Sequence, residues 1–250
     1  MNNTLIIGGG FMGHSLALAL KDANKDSTIS VVEVVQDYRV LLEKSNIYDV
    51  VYNKIDQVNS KFHQVIICTT PETTSQILDL ILKLFCHSEL ITDISSSKSF
   101  LNGKKLPANF VSSHPVCGSE KKGPMESRAD LFNQQPCILI RNDMQNLEIC
   151  SSFWKSLGMK VFQMDSQVHD KMFSDISHLP HVIGRAFYLY IQEKEIPEDI
   201  LGTSAKELLR LGKANKNLWD EIFKDNARNL KGSIGGFQSY IEKIKKTFEI

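Results

Sequence analysis

Gly8-Gly9-Gly10-Phe11-Met12-Gly13 stands directly after the apolar run Thr4-Leu5-Ile6-Ile7 and before Ser15-Leu16-Ala17-Leu18-Ala19-Leu20-Lys21, a segment of strong helix formers. Strand, glycine turn and helix in that order leave few folds open. The spacing is G-x-G-x-x-G, in which Gly8 permits the tight turn, Gly10 lets the backbone approach a pyrophosphate, and Gly13 lets the helix pack closely on the strand. Phe11 and Met12 complete the turn and belong to the same candidate cofactor-binding set. The free N–H groups and positive dipole end of the following helix face the phosphates.

A second β-rich run, Thr28-Ile29-Ser30-Val31-Val32, ends at Glu33, twenty residues after Gly13. A carboxylate there accepts hydrogen bonds from both ribose hydroxyls and repels a 2′-phosphate, which favours NAD over NADP. Arg39, close by in sequence, keeps NADP open. Short buried-strand patterns recur at Val65-Ile66-Ile67-Cys68-Thr69 and Leu90-Ile91-Thr92-Asp93-Ile94, with helical spacing of apolar residues between Ser75 and Phe85. Phe110–Ser113, Pro136–Ile140 and Lys160–Met164 are further candidate strands, and a helix is expected over Leu147–Leu157 with Gly158 near its C-cap. Strand signals stop near Asp165. The expectation is therefore an α/β chain: a Rossmann-type, doubly wound parallel sheet over residues 1–165, followed by a smaller all-α domain over 166–250. Helices are expected over His169–Ser177, Val182–Gln192 and Leu201–Leu211, with one or two more over Leu218–Phe248. So short a helical segment has a thin core, and its apolar faces point to burial against a second copy, hence a homodimer through the helical domain.

Composition narrows the partners. In 250 residues, 29 Lys and Arg balance 29 Asp and Glu, so no overall field favours nucleic acid or an anionic membrane, and a small molecule is expected instead. Five cysteines, an odd number with no C-x-x-C pair, argue against a disulfide framework and a zinc ribbon and fit a reducing cytoplasm. With no cleavable leader before the first strand and no apolar span of bilayer length, secretion and membrane insertion are not expected.

Two motifs carry the chemistry. His114-Pro115-Val116-Cys117-Gly118-Ser119-Glu120 lies downstream of Asp93-Ile94-Ser95-Ser96-Ser97-Lys98, and Ser177-His178-Leu179-Pro180-His181 opens the helical part. In a doubly wound sheet the carboxyl ends of the strands face the cofactor crevice, which brings Asp93–Lys98 and His114–Gly118 to the nicotinamide. Oxidising a secondary alcohol needs a base at the hydroxyl while the carbon gives up hydride, and a neutral histidine has a suitable pKa. Ser95-Ser96-Ser97-Lys98 matches S-x-x-K, but the companion motifs of penicillin-binding enzymes are absent. The spacing of His114, His169, His178 and His181 matches no zinc motif, and no metal is expected.

These stretches, together with Arg128-Ala129-Asp130-Leu131-Phe132, His169-Asp170, Leu209-Arg210-Leu211 and Leu218-Trp219, resemble the prephenate/arogenate dehydrogenase family, which oxidatively decarboxylates prephenate or arogenate on the way to tyrosine. The resemblance covers most of the chain and rests chiefly on the His-Pro-x-x-Gly-Ser-Glu and Ser-His-Leu-Pro-His stretches. It implies that His114 takes the proton of the ring hydroxyl, that Ser96 hydrogen-bonds that hydroxyl, and that Arg210 receives a substrate carboxylate, with Ser177, His178 and His181 as further substrate-binding candidates. Trp219 is read as core or dimer contact, and Ser96 has an alternative as the cap of a helix starting near Lys98. Activity is expected to rise with pH as His114 deprotonates.

Cys117 stands where the family usually has alanine and Ser95 where glycine is typical; Ala205-Lys206-Glu207-Leu208-Leu209-Arg210 departs from the family's Phe-Arg-Asp-x-Thr-Arg pattern, which leaves prephenate and arogenate both open as substrate. No chorismate mutase segment is expected before the turn and no regulatory ACT-type module after Ile250, so any tyrosine feedback is expected to act at the active site. A catalytically silent, NAD-binding sensor is the alternative from another class, opposed by the presence of Ser96, His114 and Arg210.

Overall fold

The structure, a computed structural model, describes residues 3–118, 121–141 and 146–248; Ser119 and Glu120 of the histidine–proline motif lie outside them. It divides into two compact units, one of residues 1–96 and 101–165, the other of residues 97–100 and 166–250.

The first unit contains strands β1 (Asn3–Ile7), β2 (Thr28–Val32), β3 (Val50–Tyr52), β4 (Gln64–Ile67) and β5 (Leu90–Asp93), with helices α1 (Phe11–Ala23), α2 (Gln36–Lys44) and α3 (Pro71–Leu84). The strands pair in parallel in the order β3-β2-β1-β4-β5. β1, β2, β4 and β5 are almost continuously apolar because both faces of a parallel sheet are covered, and Leu5, Ile6, Val65 and Ile66 have no exposed surface. Ile7 is in register with Val32 and with Ile67, and Ile67 with Asp93, so the turns after four strands leave from one edge. That edge carries the glycine turn.

The remaining strands do not extend this sheet as expected. β6 (Ser113–Pro115), β7 (Pro136–Ile140) and β8 (Lys160–Met164) form a separate three-stranded sheet, antiparallel between β6 and β7 and parallel between β7 and β8. The expected strand at Phe110–Ser113 is reduced to a single parallel bridge from Phe110 to Ile91, and regular pairing begins only at Ser113. α4 (Leu147–Ser156) packs behind, ending at Gly158 with φ +80°, the left-handed position that glycine tolerates best. Its Trp154 has no exposed surface, contacts Phe132 and Phe153 and donates Nε1–H to Ser113 Oγ at 2.9 Å. Truncating such a residue to alanine costs about 3–5 kcal/mol.

The second unit holds α5 (Ser166–Phe173), α6 (Leu179–Glu193), α7 (Thr203–Gly212), α8 (Lys216–Asp225) and α9 (Ala227–Lys246). Instead of breaking after Ser177, the chain passes from α5 to α6 through a π-helical turn over Ser174–His178. The cause is local: Pro180 has no N–H to give the carbonyl four residues earlier, and a wider turn just before it accommodates the ring. α6 and α7 cross at two glycines. A Cβ on Gly212 would lie 2.4 Å from the Gly184 carbonyl oxygen, so any larger residue would force the helices apart. α8 starts at Asn215, whose side chain accepts from the Leu218 N–H at 3.5 Å. Among the described residues of α9, only Leu230 is buried, while Tyr240, Ile241 and Ile244 are exposed.

Residues 97–100 belong to this helical unit because Asp170 holds them. Its carboxylate accepts from the Lys98 N–H at 2.9 Å and from Ser99 Oγ at 2.8 Å, and pairs with His169 Nδ1 at 2.9 Å. Asn226 Nδ2 donates to the Asp170 carbonyl at 2.7 Å. The helix expected near Lys98 is only a three-residue 3₁₀ turn, Ser99–Leu101, so Ser96 caps no α-helix.

Candidate active site

In the first unit, the turn after β1 has the form a dinucleotide needs. Gly8 sits at φ +99°, and a Cβ there would lie 2.7 Å from the Cys68 carbonyl oxygen; a Cβ on Gly13 would lie 1.9 Å from the Gly8 carbonyl oxygen. Around Gly10, by contrast, a Cβ would meet nothing within 4 Å, which leaves the α1 N-terminus open. Gly10 is the N-cap of α1 and gives it no side-chain cap, so the first N–H groups are available to a phosphate. Phe11 and Met12 divide in their contributions: the Phe11 ring is 8% exposed and built into the core, leaving its backbone N–H for the turn, and half-buried Met12 packs against the same core.

Glu33, buried at the end of β2, accepts from the Gly9 N–H and the Val35 N–H, each at 2.8 Å. Each carboxylate oxygen thus fixes one backbone group and keeps acceptor capacity for a ribose hydroxyl. Arg39 is turned onto the same loop, with Nη1 donating to the carbonyls of Glu33 at 3.0 Å and Val34 at 2.7 Å. Open helix terminus, glycine approach and buried carboxylate fit a dinucleotide.

Ser96 and His114 arrive by two routes at the same sheet edge. Ser96 follows β5, whose last residue Asp93 accepts from the Ser95 N–H at 2.8 Å and so tightens the turn. The His114 strand enters alongside β5, with the Val111 N–H donating to the Ile91 carbonyl at 3.0 Å and Thr92 Oγ1 lying 2.6 Å from Ser113 Oγ. His114 is 6% exposed and Ser96 half-buried. Cys117, three residues on, is no nucleophile at neutral pH: burial pushes its thiol up to about 12, against the opposing pull of Arg128.

The second unit gathers its candidates around α6. His178 is fully buried with Nδ1 3.2 Å from Asn226 Nδ2, and Ser177 is half-buried beside it in the π-turn. His181 stacks on Trp219, ring centroids 3.4 Å apart. Burial lowers its pKa to about 4, the nearby Arg210 and Arg185 push the same way, and a hydrogen bond with the Leu211 backbone opposes them. The imidazole is therefore neutral at physiological pH, and its buried Nδ1 has no hydrogen-bond partner among the described residues. Arg210 Nε donates to Glu207 Oε2 at 3.2 Å.

Two residues escaped the sequence reading, and a third was read as core or dimer contact. Trp219, assigned to core or dimer contact, is a half-buried ring facing His181; its spacing from Leu218 carries no sign of that stack. Asn226 and Arg185 gave no signal, since an amide or a cation on a helix normally reads as solvated surface.

A glycine turn with an open helix N-terminus, a buried acidic residue ending the second strand, and a histidine and serine at the carboxyl edge of a parallel sheet define a dinucleotide-dependent dehydrogenase. The family models agree. Residues 16–163 match the nucleotide-binding domain of prephenate dehydrogenase, and residues 165–249 match its dimerization domain. The chain is 27% identical to a prephenate dehydrogenase of Lactococcus lactis subsp. cremoris, over 98% of this chain and 70% of that protein. It is 26% identical to a cyclohexadienyl dehydrogenase of Zymomonas mobilis, over 96% of this chain and 86% of that one. The crystal structure of prephenate dehydrogenase from Aquifex aeolicus with hydroxyphenyl propionate and NAD+ aligns with a TM-score of 0.90 at 26% identity, covering 98% of this chain and 90% of that one. The chain belongs to the prephenate dehydrogenase family, with a nucleotide-binding domain followed by a dimerization domain. Among the described residues, no helix is long and apolar enough to cross a membrane.

Proposed function

We propose that the chain oxidises and decarboxylates prephenate to 4-hydroxyphenylpyruvate, within tyrosine biosynthesis in the cytoplasm. What supports this reading is that Ser96 follows β5 and His114 lies on β6, where the neighbouring Ser113 Oγ is 2.6 Å from Thr92 Oγ1 of β5. Bound NAD supplies the hydride acceptor for the ring carbon. Ser96 donates or accepts at the ring hydroxyl and fixes its direction, and His114 takes the hydroxyl proton as the C–O bond gains carbonyl character. The ring carboxylate leaves as CO2, the C–C bonding pair stays behind in the ring, and the ring becomes aromatic. The residues' work is alignment and proton removal rather than supplying the driving force.

The substrate's carboxylates call for cations and donors. Arg210 takes one carboxylate, and Ser177, His178 and neutral His181 provide hydrogen bonds; each bond to a charged group is worth roughly 1.5–3 kcal/mol. Arogenate is the second reading, favoured by the Glu207 carboxylate beside Arg210, which offers an acceptor for an ammonium group.

The functional unit is a homodimer through the helical part. Two features support this: the exposed apolar face of α9, and a cleft of about 540 Å³ whose lining mixes Leu179, Phe237 and Tyr240 with Lys171, Asp175 and Arg228. Steady-state turnover of His114→Asn tests the chemical step. It is expected to fall by about 100- to 10,000-fold, with NAD affinity unchanged. Wild-type turnover would remove His114 from the mechanism, and equal loss of NAD binding would make its role structural.

A further inference from the structure

α6 and α8 face each other in two tiers. The first is the His181–Trp219 stack. One helical turn further along both helices, Arg185 lies over Phe223, its guanidinium carbon 5.1 Å from the ring centroid, and Phe223 contacts Trp219 at 5.6 Å between centroids. Asp220 pins this second tier: its Oδ1 accepts from Arg185 Nη1 and its Oδ2 from Lys216 Nζ at 2.5 Å. Both carboxylate oxygens are engaged by cations, so the Arg185–Asp220–Lys216 group keeps one net positive charge and presents donors. The Arg185 side chain is 24% exposed, with guanidinium N–H groups beyond the one spent on Asp220.

Resting on the reading above, we propose that Arg185 is a specificity-determining residue that selects a 2-oxo acid side chain over a 2-amino acid one. The two candidate substrates differ only there. A 2-oxo acid end presents acceptors alone, a carboxylate and the adjacent carbonyl oxygen, which a guanidinium fork matches; a 2-amino acid end places an ammonium among cations. Arg210 alone does not discriminate, because Glu207 beside it can balance an ammonium. Arg185 adds a second guanidinium one helical turn beyond His181, over the Phe223 ring that contacts the Trp219 stacked on His181.

The test is kcat/KM for prephenate and for arogenate at saturating NAD, in the wild-type dimer, Arg185→Gln and Arg185→Lys. Wild type is expected to prefer prephenate. Arg185→Gln should lower the prephenate-to-arogenate ratio by about tenfold or more, mainly through a higher KM for prephenate. Arg185→Lys, which keeps the charge but not the fork, should fall between the two. An unchanged ratio in both variants, or an equal loss on both substrates, overturns the inference and leaves Arg185 as a brace between helices. If Arg185→Gln does not fold, an unchanged ratio in Arg185→Lys overturns it as well. Wild-type turnover of neither substrate overturns the underlying reading instead, and a wild-type preference for arogenate overturns this inference and puts the second reading in place of the first.

Discussion

The two units carry function in different materials. In the first, it resides mainly in the backbone: Gly8 and Gly13 allow contacts that a Cβ would forbid, the parallel register brings four strand ends to one edge, and Glu33 acts by holding two N–H groups. In the second, the proposed substrate side is built from side chains set against one another across helices, with His181 on Trp219, Arg185 on Asp220 and Asp170 holding the 97–100 segment. Backbone sites fail as a whole when one atom is added. Side-chain clusters fail by degrees and can be retuned, which is where substrate choice can change while the cofactor turn stays fixed.

The largest effect should come from Gly13→Ala. Its Cβ would fall 1.9 Å from a backbone oxygen, so strand and helix must separate, and NAD binding measured by fluorescence titration should become undetectable. Retained affinity would show the turn to be more pliable than its geometry implies. Arg210→Ala should be graded: the KM for prephenate rises by about tenfold to a hundredfold, with NAD affinity intact. An unchanged KM would remove Arg210 from the substrate-binding set. The smallest effect concerns stability. His181 titrates near 6.5 in the unfolded chain and about 4 when folded, so in that window the unfolded chain holds a proton that the native one lacks. Acid therefore favours unfolding, and stability should rise with pH from about 4 to 6.5 and then level off. Melting temperatures of His181→Asn across the same window should show a shallower slope; a slope identical to wild type would mean that His181 is not held neutral by its surroundings.

The contrast also explains what the sequence could reveal. The glycine turn, Glu33 and the long apolar strands have fixed spacings that follow from local geometry, so β1, β2, β4 and β5 with α1 and α3 were legible. β3 was not, because Val50–Tyr52 is short and partly exposed and shows no alternation. The split into two sheets was also hidden: β6 spans three residues and ends in Pro115, and its direction is set by its partner β7 rather than by its own composition. In the helical unit, helical periodicity was visible but the π-turn was not, since its register change comes from Pro180 acting on the turn before it. Arg185 and Asn226 were missed because their contacts depend on which helix lies opposite, and a single sequence does not state that.

The central claim is tested most directly by NADH formation from prephenate and NAD by the purified chain, run beside NADP as oxidant. The account predicts turnover with NAD and little with NADP, because Glu33 repels a 2′-phosphate. No NADH from prephenate while NAD still binds would contradict it, leaving a nucleotide-binding protein without this reaction.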